Sequence, residues 1–146
     1  MRIRPLLGIT ALFVVLATTM AACGGDEEPE SEGTLLPTCS GEALADTGLP
    51  ADFPVPADVT FVAQTTAGPS NVVDGFATDT VDHLYGEWKD ALEQTNYTIL
   101  FDENEAPDDA EISYETPDET STGQIAMRNE CGGGDKIAVH VTDRPA

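Results

Sequence analysis

Residues 79–99 read DTVDHLYGEWKDALEQTNYTI, and their spacing sets the architecture of the chain. Val81, Leu84, Tyr85, Trp88, Ala91 and Leu92 recur at steps of three and four, which puts them on one face of an α-helix. Asp82, Glu87, Lys89, Asp90 and Glu93 fall largely elsewhere. Asp79 or Thr80 can cap the start, because a side-chain oxygen there accepts an amide that the first turn leaves unpaired. Asn96 follows Thr95 as a left-handed stop. A helix with one apolar stripe needs a surface to bury it. Either a sheet of the same chain or a partner protein would serve, and the flanking sequence supplies a sheet.

Upstream, LPADFPVPADVTF (49–61) carries three prolines, a density that favours extended backbone and forbids helix. Val59 to Thr65 is rich in β-branched and aromatic residues and reads as a strand. Ala67 to Asn71 is a turn by composition, and Val72 to Thr78 returns as a second strand with Gly75 as a bulge or weak point. Downstream, three sets of residues alternate: Tyr97, Ile99 and Phe101; Ala110, Ile112 and Tyr114; Ile125 and Met127. Ile137, Val139 and Val141 then alternate beyond the Gly132–Asp135 hairpin loop. Period-two alternation marks strands with one buried face and one wet face. No internal repeat is present. The expected fold is α+β: a single amphipathic helix packed on an antiparallel sheet, in the order β-β-α-β-β-β-β.

The start of the chain is of another kind. Arg2 and Arg4 precede a nearly continuous apolar run from Leu6 to Met20. About fifteen residues suit the apolar core of a signal peptide, whereas a bilayer span needs about twenty; a short retained anchor is the alternative. The run ends in TTMAACGGDEEPESEG (18–33). This order of charge, apolar run, small residues and cysteine resembles bacterial lipoproteins, with Met20 where leucine is usual. The resemblance implies that Cys23 becomes the first mature residue and carries a thioether-linked diacylglycerol. The domain would then be held at the cell membrane, facing the extracytoplasmic side, through acyl chains worth about 0.8 kcal/mol per buried methylene. The alternative is an ordinary signal peptide cleaved near Ala22, with Cys23 left as a thiol. Residues 1–22 are therefore read as a lipoprotein signal peptide, 23–37 as an acidic disordered tether, and 38–146 as a small α+β domain. The block from Asp79 to Ile99, behind its proline-rich approach, also resembles an arrangement in small exported lipoproteins; that likeness implies a two-layer domain and brings no catalytic residues.

With Cys23 taken by lipid, Cys39 and Cys131 remain, an even number in an oxidising compartment. A bridge between them would close a loop of about 90 residues, worth about 4–5 kcal/mol in the chain-entropy model. Two separate thiols are the alternative. Charge is the other strong feature. All 27 acidic residues follow Cys23, against four basic ones there (Lys89, Arg128, Lys136 and Arg144), so 4 minus 27 leaves −23. Such a surface repels nucleic acid and anionic headgroups and can attract cations or basic partners, but its plainest meaning is a solvated surface.

No motif assigns a reaction. Gly132 to Gly134 lacks the Lys-Ser or Lys-Thr of a phosphate loop and joins two strands. There is no Gly-x-Ser-x-Gly, and His83 and His140 have no serine or cysteine partner in sequence. Asp79 and His83 lie four apart with Asp82 adjacent, which gives two metal ligands where three or four are needed. Asp102, Asn104, Asp108, Asp109 and Glu111 offer oxygens in the densest acidic stretch of the domain. Pro107 stands where an EF-hand needs glycine, so that stretch is either a different calcium loop or a solvated hairpin connection. Asn96-Tyr97-Thr98 matches a glycosylation acceptor, accidental in a bacterial lipoprotein. No cofactor is implied. The expected function is a non-catalytic binding or envelope-interaction domain on a lipid anchor, using the open sheet face or the acidic loops toward an envelope protein. The alternatives are a calcium- or cation-binding lipoprotein, a small extracytoplasmic hydrolase, and an inhibitor or sensor module.

Overall fold

The computed structural model describes residues 39–132 and 134–146. The expected signal peptide, the lipidated Cys23 and the tether lie outside the described residues. Six strands and one helix follow one another as β1 (Val59–Ala67), β2 (Ser70–Thr78), α1 (Val81–Gln94), β3 (Thr98–Glu105), β4 (Asp109–Glu115), β5 (Ser121–Arg128) and β6 (Lys136–Pro145). This is the expected helix on an antiparallel sheet. The sheet order is β1-β2-β6-β5-β4-β3, with every neighbouring pair antiparallel. Four pairings are hairpins between consecutive strands. The fifth, β2 with β6, arises because α1 carries the chain from β2 to the far edge, and the β3–β6 meander then walks back.

Opposed residues in antiparallel strands share a face, so the register separates the sheet's two sides. Val73, Ala77, Ile112, Tyr114, Ile125, Met127, Val139 and Val141 form the covered face, all buried. The expected alternations in β4, β5 and β6 therefore hold. Two covers lie over this face. One is α1, which packs against β3, β4 and β5 with Val81, Leu84, Trp88 and Leu92 buried. Thr80 is its N-cap, accepting from the His83 amide at 3.3 Å, and Asp79 accepts from the Thr80 amide at 2.6 Å. Thr95 is the C-cap, and Asn96 takes the left-handed conformation at φ 62°.

The other cover is a proline-rich strap, residues 39–58. Its Leu44 amide donates to the Phe61 carbonyl at 2.9 Å, and the Thr47 carbonyl accepts from Asn71 Nδ2 at 2.9 Å. The strap thus runs along β1 and the hairpin end of β2, with Leu44 and Leu49 packed on the core. Phe53 is its anchor. Its ring lies 5.6 Å from Trp88, 5.8 Å from Tyr97 and 5.3 Å from Tyr114, joining strap, helix and sheet. Tilted and edge-on aromatic pairs of this kind add about 0.5–1.5 kcal/mol each beyond the area they bury. A disulfide between Cys39 and Cys131, Cα atoms 5.5 Å apart, ties the start of the strap to the β5–β6 connection.

Three sequence expectations change. The first hairpin turns tightly at Gly68-Pro69, and Ala67 and Ser70 already pair as strand residues. Gly75 is not itself bulged: the register shift lies opposite, between Phe61 and Ala63, and a Cβ on Gly75 would overlap the Thr60 carbonyl oxygen. Most consequentially, the alternation of Tyr97, Ile99 and Phe101 breaks. Tyr97 is buried and Ile99 partly so, but the register shifts between Ile99 and Phe101. One extra residue inverts the phase of everything after it, so Phe101 turns to the open face.

Candidate functional site

The bulge in β3 has a surface consequence. Leu100 is 54% exposed and Phe101 53% exposed, side by side on an edge strand. Among the described residues no strand pairs with the outer side of β3. Beyond the bulge, Glu103 and Glu105 point to the same face as Phe101, by their pairing with Glu111 and Asp109. An apolar pair is therefore rimmed by carboxylates, and the strand's backbone groups are free to pair with another chain. Carboxylates along an edge discourage two identical edges from meeting.

The acidic stretch 102–111 divides its side chains between the two faces of the sheet. Asp102 and Asn104 face the helix, whereas Glu111 points to the opposite side. Asp102 accepts from Lys89 Nζ at 2.8 Å and from the Tyr85 hydroxyl. These donors hold its carboxyl below the ordinary carboxylate range, the Lys89 bond contributing most. Asn104 Nδ2 donates to Asp82 at 2.8 Å. Glu111 accepts from Gln124 at 2.9 Å and from Arg128 at 3.1 Å. Asp108 and Asp109 share a shallow surface with Arg128, whose guanidinium already supplies the positive charge. Asp102, Asn104 and Glu111 are thus engaged in hydrogen bonds on opposite sides of a β-hairpin.

A different set does come together. Asp79, His83 and Glu87 each place one ligand atom within 4.8 Å of the others. Asp79 precedes the N-cap, and its carboxylate is fixed at both ends: Oδ1 by the Thr80 amide, Oδ2 by His83 Nδ1 at 2.6 Å. Side chains on a helix lean toward its N-terminus, so Glu87, a turn further on, reaches back toward His83. The hydrogen bond that the His83 ring donates to Asp79 raises the His83 pKa above 6.5, followed by the charges of Asp79 and Glu87 and, more weakly, Asp58. Glu87 Oε2 is shut off from solvent and has no hydrogen-bond partner. A polar oxygen left dry and unpaired costs about 1–3 kcal/mol, more when charged. Asp82, the neighbour that sequence spacing offered to His83, instead turns to Asn104. Glu87 was legible as the next step of four from His83, but its place among the polar residues of the helix concealed it.

Asp79 also lines a cleft of about 480 Å³ at the helix N-terminus, with Thr80, Asp82, Pro107, Asn129 and Asp135. The second histidine sits apart: His140 Nδ1 lies 2.6 Å from Asp74 on the open face, between β6 and β2. On the covered face, Tyr114 and Ser121 donate to the buried Asp143 at 3.2 and 2.8 Å. Burial pushes the Tyr97 hydroxyl up to about 12, with Asp52 and Asp143 adding to the shift.

Comparison with protein-family models, with curated proteins and with solved structures found no match.

Proposed function

We propose that the protein is a lipid-anchored, extracytoplasmic binding domain that carries out no chemistry and docks an envelope protein along the β3 edge. The observation that carries this reading is the adjacent exposed pair Leu100 and Phe101 on an edge strand with free backbone groups. Strand addition to such an edge draws affinity from main-chain hydrogen bonds and specificity from the flanking side chains. Here those flanks are carboxylates, on a chain with 27 acidic residues against six basic. A basic partner strand fits them, and a second copy of this edge does not. The anchor rests on the lipobox-like order ending at Cys23, and the Cys39–Cys131 disulfide is in keeping with an oxidising compartment.

Two experiments test the reading. Cys23→Ala should release the protein from membranes and abolish incorporation of labelled lipid; retention with no loss of label removes the anchor. A photo-crosslinking amino acid at position 101, used in the native envelope, should give a discrete heterologous adduct. That adduct should disappear when Leu100→Asp is added. Absence of any adduct, or one indifferent to Leu100→Asp, removes the docking edge.

A further inference from the structure

We propose that Asp79, His83 and Glu87 form a binding site for a zinc-type divalent ion on the outer ridge of α1. This inference does not depend on the docking edge. Two observations carry it. The first is convergence: one imidazole nitrogen and two carboxylate oxygens lie within 4.8 Å of one another. The second is the state of Glu87, whose Oε2 is closed to solvent yet bonded to nothing. A protein rarely leaves a carboxylate oxygen dry and unpaired unless something of opposite charge is meant to meet it.

The donor set selects the ion. Calcium takes six to eight oxygens and has no use for an imidazole. Zinc binds His nitrogen and carboxylate oxygen and is content with three protein donors plus one outside ligand. Asp79 is already immobilised by the Thr80 amide, which leaves its other oxygen aimed at His83. Binding displaces the proton shared between Asp79 and His83, so the ion replaces that hydrogen bond. The positive end of the helix dipole opposes a cation here, but it amounts to about half a charge against two carboxylates, so the carboxylates win. His83 is 65% exposed, so a position on the ion stays open to water or to an outside donor. Of the three ligands, Asp79 also lines the 480 Å³ cleft at the helix N-terminus.

The chain has two histidines, and that makes the test clean. The full-length protein in detergent, stripped with chelator and with its disulfide intact, is titrated with zinc chloride by calorimetry. The imidazole signals are followed by NMR in parallel. One ion per chain is expected, moving the His83 signals and leaving those of His140 in place. His83→Gln and Glu87→Gln should each weaken binding by roughly tenfold or more, the scale of a lost or misplaced ligand. His140→Gln should change nothing, and all three variants should melt as cooperatively as the parent. Calcium chloride in large excess should not displace the ion. Failure of the folded protein to take up zinc overturns the proposal. So does uptake that neither ridge variant weakens, uptake read at His140, or displacement by calcium, which would reveal only a diffuse acidic surface.

Discussion

The helix and the strap lie over the same face of one sheet, but they are held there in different ways. α1 satisfies its own backbone and presents a regular stripe, so its position follows from burial of Val81, Leu84, Trp88 and Leu92. The strap has prolines where a ladder would need amides, and it makes only scattered hydrogen bonds such as Leu44 to Phe61. It is secured at points instead: a disulfide at its start, Leu44 and Leu49 midway, and Phe53 locked among three aromatic rings. A cover without periodicity needs anchors, and the chain supplies a covalent one.

The largest test of this contrast is truncation of the two anchors that touch each other. Phe53→Ala and Trp88→Ala should each cost about 3–5 kcal/mol in denaturant unfolding. Because the rings are 5.6 Å apart, the double variant should lose less than the sum. Strict additivity would mean that strap and helix are not coupled through this contact. Next in size, Cys39→Ser with Cys131→Ser should cost about 2–5 kcal/mol. Hydrogen exchange should then quicken at the Leu44 and Phe53 amides well before those of α1. Equal loss in both covers would erase the distinction between them.

How much of this was legible in sequence follows the same division. The α1 stripe, both of its caps and the β4 to β6 alternations were readable because each rests on a local period. The strap's exclusion of helix was readable too. Phe53 as a core anchor was not, since nothing in LPADFPVPADVTF repeats and burial there is decided by residues 35 to 61 positions away. The β3 edge misled, because a one-residue bulge at Leu100 leaves composition untouched while reversing the side chains beyond it. Glu87 is hidden from sequence because its place beside His83 depends on how far a side chain reaches back along the helix. The sheet order, too, was invisible, since the β2–β6 pairing joins residues 58 to 72 positions apart.

Smaller effects belong to the helix and its polar contacts. Thr80→Ala should cost about 1 kcal/mol, the usual worth of an N-cap, while leaving strap exchange unchanged. Asp102→Asn should cost less still, at most about 1 kcal/mol, because the Lys89 pair is only partly shielded. Its sign with pH is set by the lowered pKa of Asp102. The stabilisation is present above the ordinary value of 3.8 and fades as the pH falls through the depressed folded value, so variant and parent should converge in acid. His83 should titrate above 6.5 by NMR and move back toward it in Asp79→Asn. Since a raised histidine pKa stabilises only while the ring is charged, that contribution is complete below 6.5 and is lost as the pH rises through the folded value.

The 92-residue separation of Cys39 and Cys131 also governs what a protease can do to this molecule. The turns at 68–69, 106–108 and 117–120 all fall inside the closed ring, and exposed turns are where nicking concentrates. A single cut at any of them opens the ring without dividing the molecule, and both fragments migrate as one until a reductant is added. A cut upstream of Cys39 leaves the ring whole and frees it from whatever holds the chain's beginning. Release of the ring intact therefore requires a cut before Cys39, however many of the turns inside it lie open to attack.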